Sequence, residues 1–166
     1  VKGNSISIQS KELKGVEIET APFPGFPTDL QAPFTTLMTI ANGESKITET
    51  IFENRMSHID LLNKMGASIK LNKNVAYIKG VKTIKGMDLI GSDLRSSAAL
   101  IIAGIIAKGN SRIFGLEHLD RGYENFESKL KILGVKINRE FSKRTFTEKG
   151  YKIATDANDI PKARVA

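Results

Sequence analysis

The chain has 166 residues, 40% hydrophobic and 26% charged, which is typical of a globular protein with a sizeable core, and no apolar run reaches the roughly 18–20 residues of a membrane span. The sequence has no cysteine and two histidines, His58 and His118, so disulfides, thiolate chemistry and a histidine-based metal site are not expected. The net charge of +7 favours an anionic partner such as a phosphorylated metabolite, a nucleic acid or an acidic protein surface.

The first elements are two strands, because Ser5–Gln9 and Val16–Thr20 alternate apolar and polar residues. A stiff loop with three prolines follows at 21–27, and Thr28 or Asp29 is placed to cap the helix after it. That helix has a predicted apolar stripe of Leu30, Phe34, Leu37, Met38 and Ala41. The next predicted elements are a strand at Lys46–Thr50, a helix at His58–Met65 and a hairpin of Ala67–Leu71 and Val75–Ile78.

The second half has the same order of elements. Its helix from Asp93 to Ala107 is apolar almost all round, which predicts burial on every side. Its second helix is amphipathic, with Phe126, Leu130 and Leu133 on one side. The remaining predictions are strands at Met87–Ile90, Ser111–Phe114 and Val135–Arg139, with the amphipathic helix at Glu124–Leu133.

The two halves are copies of one βαβαββ unit. Asp29 and Asp93 open the first helix of each copy and are 64 residues apart, while Arg55 and Arg121 are 66 residues apart. Tandem units of this kind stack to share a core. We therefore expect an α/β fold in which residues 1–15 are the remnant of a preceding unit, 16–80 the first unit and 81–141 the second. The repeat is predicted to stop after Phe141, leaving 142–166 as an unassigned polar tail with room for one strand at Tyr151–Ala154.

The carboxylates that open the units are candidates for chemistry. Asp93 follows Ser92 and is equally well explained as a helix N-cap, which is worth about 1 kcal/mol. The rigid proline loop before Asp29 holds that side chain at a fixed height, as a base or a substrate-binding group requires. An N-cap role remains open for both.

Three arginines are predicted near helix N-termini, where a cation opposes the helix dipole by about 0.3–1 kcal/mol. These are Arg55 and Arg121 at the short helix of each unit and Arg95 in the long helix. Such residues either bind a phosphate or carboxylate ligand or pair internally with a carboxylate such as Asp120. His58 is interpreted as a packing residue, and His118 carries little signal.

Four blocks of sequence, in order over residues 16–140, resemble the family of UDP-N-acetylglucosamine 1-carboxyvinyltransferases, one branch of the enolpyruvyl transferases. The blocks are Pro24-Gly25-Phe26-Pro27-Thr28-Asp29-Leu30-Gln31, Ile47-Thr48-Glu49-Thr50-Ile51-Phe52-Glu53-Asn54-Arg55, Asp93-Leu94-Arg95-Ser96-Ser97-Ala98 and Asp120-Arg121-Gly122-Tyr123-Glu124. The sister branch that makes enolpyruvylshikimate phosphate shares the repeat but lacks the Phe-Glu-Asn-Arg block.

The resemblance implies roles for six residues. Asp29 would contact the sugar 3-hydroxyl and act as general base, and Ile51 would touch the nucleotide sugar. Arg95 and Arg121 would bind the phosphate and carboxylate of phosphoenolpyruvate. Asp93 would lie near the reacting carbons, and Arg55 would lie at the cleft without a definite role.

The resemblance also implies an inside-out α/β barrel with buried helices, of which this chain would be the last two units of the carboxy-terminal domain. It implies a cytoplasmic enzyme of peptidoglycan synthesis with UDP-N-acetylglucosamine and phosphoenolpyruvate as substrates. No cofactor, metal, membrane or nucleic acid is expected. The chain starts at Val1 without a methionine, so we expect a fragment that is inactive alone because its amino-terminal domain partner is missing.

Three alternatives stay open at this level. The chain could belong to the shikimate-pathway sister enzyme, which a different acceptor substrate would reveal. It could be a non-catalytic RNA-binding or anion-binding module, although no interleaved aromatic and basic surface is evident. It could also be a purely structural unit that pairs with a partner chain through unpaired sheet edges.

Overall fold

The computed structural model describes residues 12–141 and 149–155, which form two successive α/β units. The elements of the first are β1 (Glu17–Glu19), α1 (Gln31–Met38), β2 (Glu44–Thr48), α2 (His58–Lys64), β3 (Ser68–Asn72) and β4 (Val75–Lys79). The elements of the second are β5 (Asp88–Ile90), α3 (Leu94–Ile106), β6 (Gly109–Phe114), α4 (Leu116–Leu119), α5 (Phe126–Ile132), β7 (Ile137–Phe141) and β8 (Lys149–Thr155). A 3₁₀ turn at Thr28–Leu30 leads into α1.

The two sheets have the same topology. The first has the order β1-β2-β4-β3 and the second the order β5-β6-β8-β7. In each, the first two strands are parallel and are joined through a helix, while the last two form an antiparallel hairpin. Gly43 and Gly109 occupy equivalent positions just after the long helix, and both have φ of +96°, a conformation that favours glycine. The predicted α/β class is confirmed.

The core of the molecule joins the two units through their long helices. Helices α1 and α3 pack against each other, and each also packs on strands of its own sheet. The Thr36 hydroxyl, on α1, lies 3.3 Å from the carbonyl oxygen of Ala99 on α3, which small side chains at the crossing allow. Apolar residues of both units form a single buried cluster, so neither half has a core of its own.

Helix α1 is only partly the helix that its apolar pattern predicts. Met38 and Ala41 of the predicted stripe are buried, but Leu30 is 51% exposed. The buried positions include polar residues instead: Gln31, Thr35 and Thr36. These side chains fit because they bond within the helix, as when the Thr36 hydroxyl reaches the Ala32 carbonyl oxygen at 3.2 Å.

Helices α3 and α5 confirm their predicted characters. Every residue of α3 is buried or half-buried, as its all-round apolar sequence predicts. On α5, Phe126 and Leu130 are half-buried while Ile132 is 85% exposed. Helix α4 follows β6 directly and was not predicted, because four residues are too few to give a recognisable period.

The prediction that the repeat stops after Phe141 is wrong. Strand β8 lies between β6 and β7 and pairs antiparallel with both, so it is the counterpart of β4 in the first sheet. It extends the predicted strand Tyr151–Ala154 by two residues at its start and one at its end. The connection from β7 covers 142–148, whereas Lys73 and Asn74 alone separate β3 from β4. Because of this longer connection, the short hairpin pattern of the first unit does not recur in the sequence of the second. The predicted strand Ser5–Gln9 lies outside the described residues.

Candidate active site

Asp29 and Arg95 form an ion pair that connects the two units. Asp29 lies in the 3₁₀ turn before α1, and Arg95 is the second residue of α3. The Nε and Nη2 atoms of Arg95 both lie 2.6 Å from Oδ1 of Asp29. The Asp29 side chain is 65% exposed, so the pair is open to solvent and accessible to a ligand.

Arg55 binds the same turn from another side. Its Nη1 donates to the Thr28 hydroxyl at 2.7 Å and lies 3.3 Å from Oδ1 of Asp29. Its guanidinium carbon lies 3.8 Å from the centre of the Phe52 ring, a cation–π contact that holds the group flat. Arg55 is therefore fixed by three neighbours and is only 14% exposed.

The segment that carries Ile51, Phe52 and Arg55 is anchored by Glu49. This glutamate follows β2 directly and is 1% exposed. Its Oε1 accepts hydrogen bonds from the backbone N–H groups of Ile51 at 2.8 Å and Phe52 at 3.2 Å. Glu49 was not predicted as a site residue, although it shares the inward parity of the buried Ile47, an alternation that could have identified a buried carboxylate.

Asp93 is the N-cap of α3. Its Oδ1 accepts from the backbone N–H groups of Arg95 and Ser96, both at 2.9 Å, and its Oδ2 from the hydroxyls of Ser92 at 3.2 Å and Ser57 at 3.3 Å. Partial burial by itself raises the pKa of Asp93, but these hydrogen bonds outweigh it and hold the pKa below its usual range. The same cap compensates the cationic Arg95 side chain at the helix start.

Neither Thr28 nor Asp29 caps α1, which corrects that prediction. No side-chain cap hydrogen bond is present at the start of either the 3₁₀ turn or α1. The Thr28 hydroxyl instead donates to Oε2 of Glu49 at 2.8 Å. Asp29 forms ion pairs with Arg55 and Arg95. These tertiary contacts replace the local hydrogen bond that a helix cap would make.

His58 begins α2 and packs in the interior, as interpreted from the sequence. It is 1% exposed, and its Nε2 has no hydrogen-bond partner among the described residues. Burial lowers the pKa of His58 to about 4, against the opposing charge of Asp93 nearby. The imidazole is therefore neutral at neutral pH.

Four of the six predicted site residues line one open cleft of about 650 Å³. A fifth, Asp29, is ion-paired with two of the lining residues, Arg55 and Arg95. The lining residues are Ile51, Phe52, Glu53, Asn54, Arg55, Asp93 and Arg95. A second cavity of about 410 Å³, on the first sheet, contains none of the predicted site residues.

Arg121 is the predicted site residue that stands apart. It is exposed in the turn between α4 and α5 and makes no ion pair or side-chain hydrogen bond among the described residues. The neighbouring Gly122 lies against the side chain of Leu94, the first residue of α3, so the turn lies near the cleft. The alternative of a pair with Asp120 is not observed, and Asp120 instead accepts from Nη2 of Arg139 at 2.5 Å.

Two features are absent from residues 12–141 and 149–155. No helix among them is both long enough and apolar enough to cross a membrane. No group of three or more histidine, aspartate or glutamate side chains among them is arranged to hold a metal ion.

The fold and the cleft identify the class of protein. The family model of EPSP synthase (3-phosphoshikimate 1-carboxyvinyltransferase) matches residues 2–130, and the chain belongs to this family of enolpyruvyl transferases. Among curated relatives, the UDP-N-acetylglucosamine 1-carboxyvinyltransferase of Prochlorococcus marinus (strain AS9601) is 80% identical over all 166 residues. The chain spans 36% of that relative's length.

Solved structures of the same family share the fold. The enolpyruvyl transferase NikO from Streptomyces tendae matches with a TM-score of 0.69 and 24% identity, over 89% of this chain and 31% of that one. EPSP synthase from Acinetobacter baumannii matches with a TM-score of 0.60 and 13% identity, over 85% of this chain and 30% of that one.

Proposed function

We propose that the chain is the carboxy-terminal part of a carboxyvinyltransferase that moves the enolpyruvyl group of phosphoenolpyruvate to the 3-hydroxyl of UDP-N-acetylglucosamine and releases phosphate. This reaction would serve peptidoglycan synthesis in the cytoplasm. Identity of 80% to a relative with that name supports the choice of substrates. The observation that carries the chemistry is the Asp29–Arg95 pair, which joins a carboxylate and a cation from different units at one cleft.

Asp29 is the proposed general base. Its Oδ1 is occupied by Arg55 and Arg95, while its Oδ2 makes no hydrogen bond to any described residue. Oδ2 is thus the oxygen that can accept the proton of a substrate hydroxyl. The hydroxyl oxygen bonds to C2 of phosphoenolpyruvate as C3 gains a proton. Loss of a C3 proton then expels phosphate and restores the double bond.

The proposed anion-binding residues are Arg95 and Arg121, with Arg55 holding the base in place. Fixed cations stabilise charge that develops on a transferring group, and arginine forks match phosphate and carboxylate geometry. Asp93 would lie beside the reacting carbons, and Ile51 would contact the nucleotide sugar. Both line the cleft, which supports these assignments.

The proposal includes the organisation of the longer protein. The amino-terminal part would close the cleft as a separate domain and supply the general acid. Residues 1–15 would complete a preceding unit, with unit boundaries at 16–80 and from 81 onward. The two sheets of equal topology support this division.

A chimera tests the function. The matching segment of the Prochlorococcus marinus relative, which aligns with all 166 residues, is replaced by this chain, and phosphate release from phosphoenolpyruvate is measured. We expect release that depends on UDP-N-acetylglucosamine and no turnover by the chain alone. An inactive chimera beside an active parent would refute the proposal. Release only with 3-phosphoshikimate would assign the chain to the sister activity.

A further inference from the structure

The buried Glu49 carboxylate bonds to the turn that carries Asp29 and to the segment 51–55 that lines the cleft. We propose that Glu49 is a positioning residue for the nucleotide-sugar side of the active site, an inference that rests on the proposed function. Its Oε2 holds Thr28, the neighbour of Asp29, and its Oε1 holds the backbone of Ile51 and Phe52. One side chain therefore sets the distance between the base and the segment opposite it.

The hydrogen-bond directions show that Glu49 acts only as an acceptor. The Thr28 hydroxyl already accepts from Arg55, so its single hydrogen is available to Oε2 of Glu49. The Thr20 hydroxyl accepts from the backbone N–H of Thr50 at 2.8 Å, so its hydrogen goes to Oε1 at 2.9 Å. With the N–H groups of Ile51 and Phe52, four donors converge on the carboxylate, three of them on Oε1 and the Thr28 hydroxyl on Oε2.

The backbone of Glu49 is clamped as firmly as its side chain. Its N–H donates to the carbonyl oxygen of Asn74 at 2.9 Å, and the Asn74 side-chain amide donates back to the Glu49 carbonyl oxygen at 2.7 Å. Asn74 belongs to the turn between β3 and β4. Glu49, at the end of β2, is therefore held by Thr20 after β1 and by the turn between β3 and β4. A side chain fixed in this way can hold the cleft segment in one position.

The second unit shows that the fold does not need this network. Strand pairing matches β1–β2 with β5–β6, and the backbone bond from Thr20 to Thr48 has its equivalent in the bond from Gly91 to Phe114, both 2.9 Å. The residues after Thr48 and Phe114 are Glu49 and Gly115. Two glycines thus replace the Thr20–Glu49 pair, and a Cβ on Gly115 would lie 2.4 Å from the Gly91 carbonyl oxygen.

A buried carboxylate that the topology does not require is costly. Removing a charge from water is unfavourable unless several hydrogen bonds compensate it, and the neighbouring inward residue of β2, Ile47, is apolar. The first unit keeps the charge where it touches both Thr28 and the Ile51 segment. The carboxylate is therefore explained by its contacts to the cleft segment and not by the fold. The equivalent glycines of the second unit, Gly91 and Gly115, do not line the cleft.

The test is the chimera described above carrying Glu49→Gln. An amide keeps one oxygen for the backbone N–H groups but turns an NH₂ towards Thr28, so the charge-assisted bond that the Thr28 hydroxyl donates is removed while the size is retained. We expect the KM for UDP-N-acetylglucosamine to rise about tenfold and the KM for phosphoenolpyruvate to stay within about twofold. Thr28→Val should likewise raise the KM for UDP-N-acetylglucosamine and not the KM for phosphoenolpyruvate. Thr28→Ser keeps the hydroxyl and should keep both wild-type KM values.

Matched variants separate positioning from general damage. Glu19→Gln removes the same charge from an exposed position on β1 and should leave both KM values unchanged. Loss of folded protein would lower the apparent kcat and leave both KM values unchanged. That result in Glu49→Gln would overturn the inference. Wild-type kinetics in Glu49→Gln, or a rise in both KM values, would overturn it too. An inactive wild-type chimera would refute the proposed function itself, and the inference with it.

Discussion

The starts of α1 and α3 occupy equivalent places in the two units, yet their aspartates have different partners. Asp93 binds its own helix, as an N-cap to the N–H groups of Arg95 and Ser96. Asp29 makes no cap and instead binds Arg55 and Arg95, which come from other elements. The same residue at the same place in a repeat therefore stabilises a helix in one copy and faces a cleft in the other.

The arginines of the two copies diverge in the same way. Arg55 is fixed by Thr28, Asp29 and the Phe52 ring, whereas Arg121 is exposed without such contacts among the described residues. Duplication has preserved the topology, which depends on backbone pairing, and has left the polar side chains free to change. Of the two equivalent arginines, the one in the first unit is therefore held in place and the one in the second unit is exposed.

The largest expected effect is on activity at Asp29. In the active chimera, Asp29→Asn should lower kcat by about 10²–10⁴ because the amide cannot accept a proton. Its melting temperature should hardly change, since exposed ion pairs contribute about 0–1 kcal/mol. Asp60→Asn, on the exposed side of α2, is the matched control and should keep full activity. A kcat within a few-fold of wild type would exclude Asp29 as the base.

A second difference concerns pH, because the counterpart of the buried His58, 66 residues further on, is the exposed Glu124. The folded pKa of His58 is lowered to about 4, while the unfolded chain binds this proton below about pH 6.5. The free energy of unfolding should therefore fall by about 3 kcal/mol as the pH drops from 6.5 to 4. Urea denaturation of the chain at several pH values measures this fall. His58→Gln should flatten it, and an identical slope in the variant would contradict the assignment.

The arginines provide a comparison of stability. Arg55→Ala should cost the chain about 1–3 kcal/mol, because it removes charge-assisted hydrogen bonds from a largely buried group. Arg121→Ala should change stability by less than about 0.5 kcal/mol, as is usual for exposed positions. In the chimera, however, Arg121→Ala should weaken phosphoenolpyruvate binding. Equal destabilisation by the two variants would remove the distinction between the copies.

The smallest expected effect is on the free energy of unfolding, and it distinguishes Asp93, which caps a helix, from Asp29, which does not. Asp93→Ala should lower the free energy of unfolding by about 1 kcal/mol, and Asp93→Asn by much less, since asparagine also caps helices. Asp29→Ala and Asp29→Asn should differ little from each other, because Asp29 makes no cap hydrogen bond. Urea denaturation of the four variants decides the point. An equal loss for Asp93→Ala and Asp93→Asn would show that charge, and not capping, stabilises the start of α3.

Much of the site was predictable as a set of residues but not as a set of contacts. The four sequence blocks predicted Asp29, Ile51, Arg55, Asp93 and Arg95; the last four line the cleft, and Asp29 is ion-paired with Arg55 and Arg95. Glu49 was missed because its importance depends on Thr20 and Thr28, which are 29 and 21 residues away. The alternative of an Asp120–Arg121 pair could not be decided from the sequence, because the partner of Asp120 is Arg139 on β7, 19 residues away.

The repeat, the α/β class, the burial of α3 and most strand positions could be read from the sequence, because apolar periodicity and turn glycines act over a few residues. Three features required the packed structure: α1 buries threonines, β8 completes the second sheet, and Asp29 pairs with Arg95 instead of capping its helix. These outcomes depend on groups distant in sequence competing for the same polar atoms. A local pattern can show that a carboxylate is available, but its partner is set by which cation the packed helices bring within 3 Å.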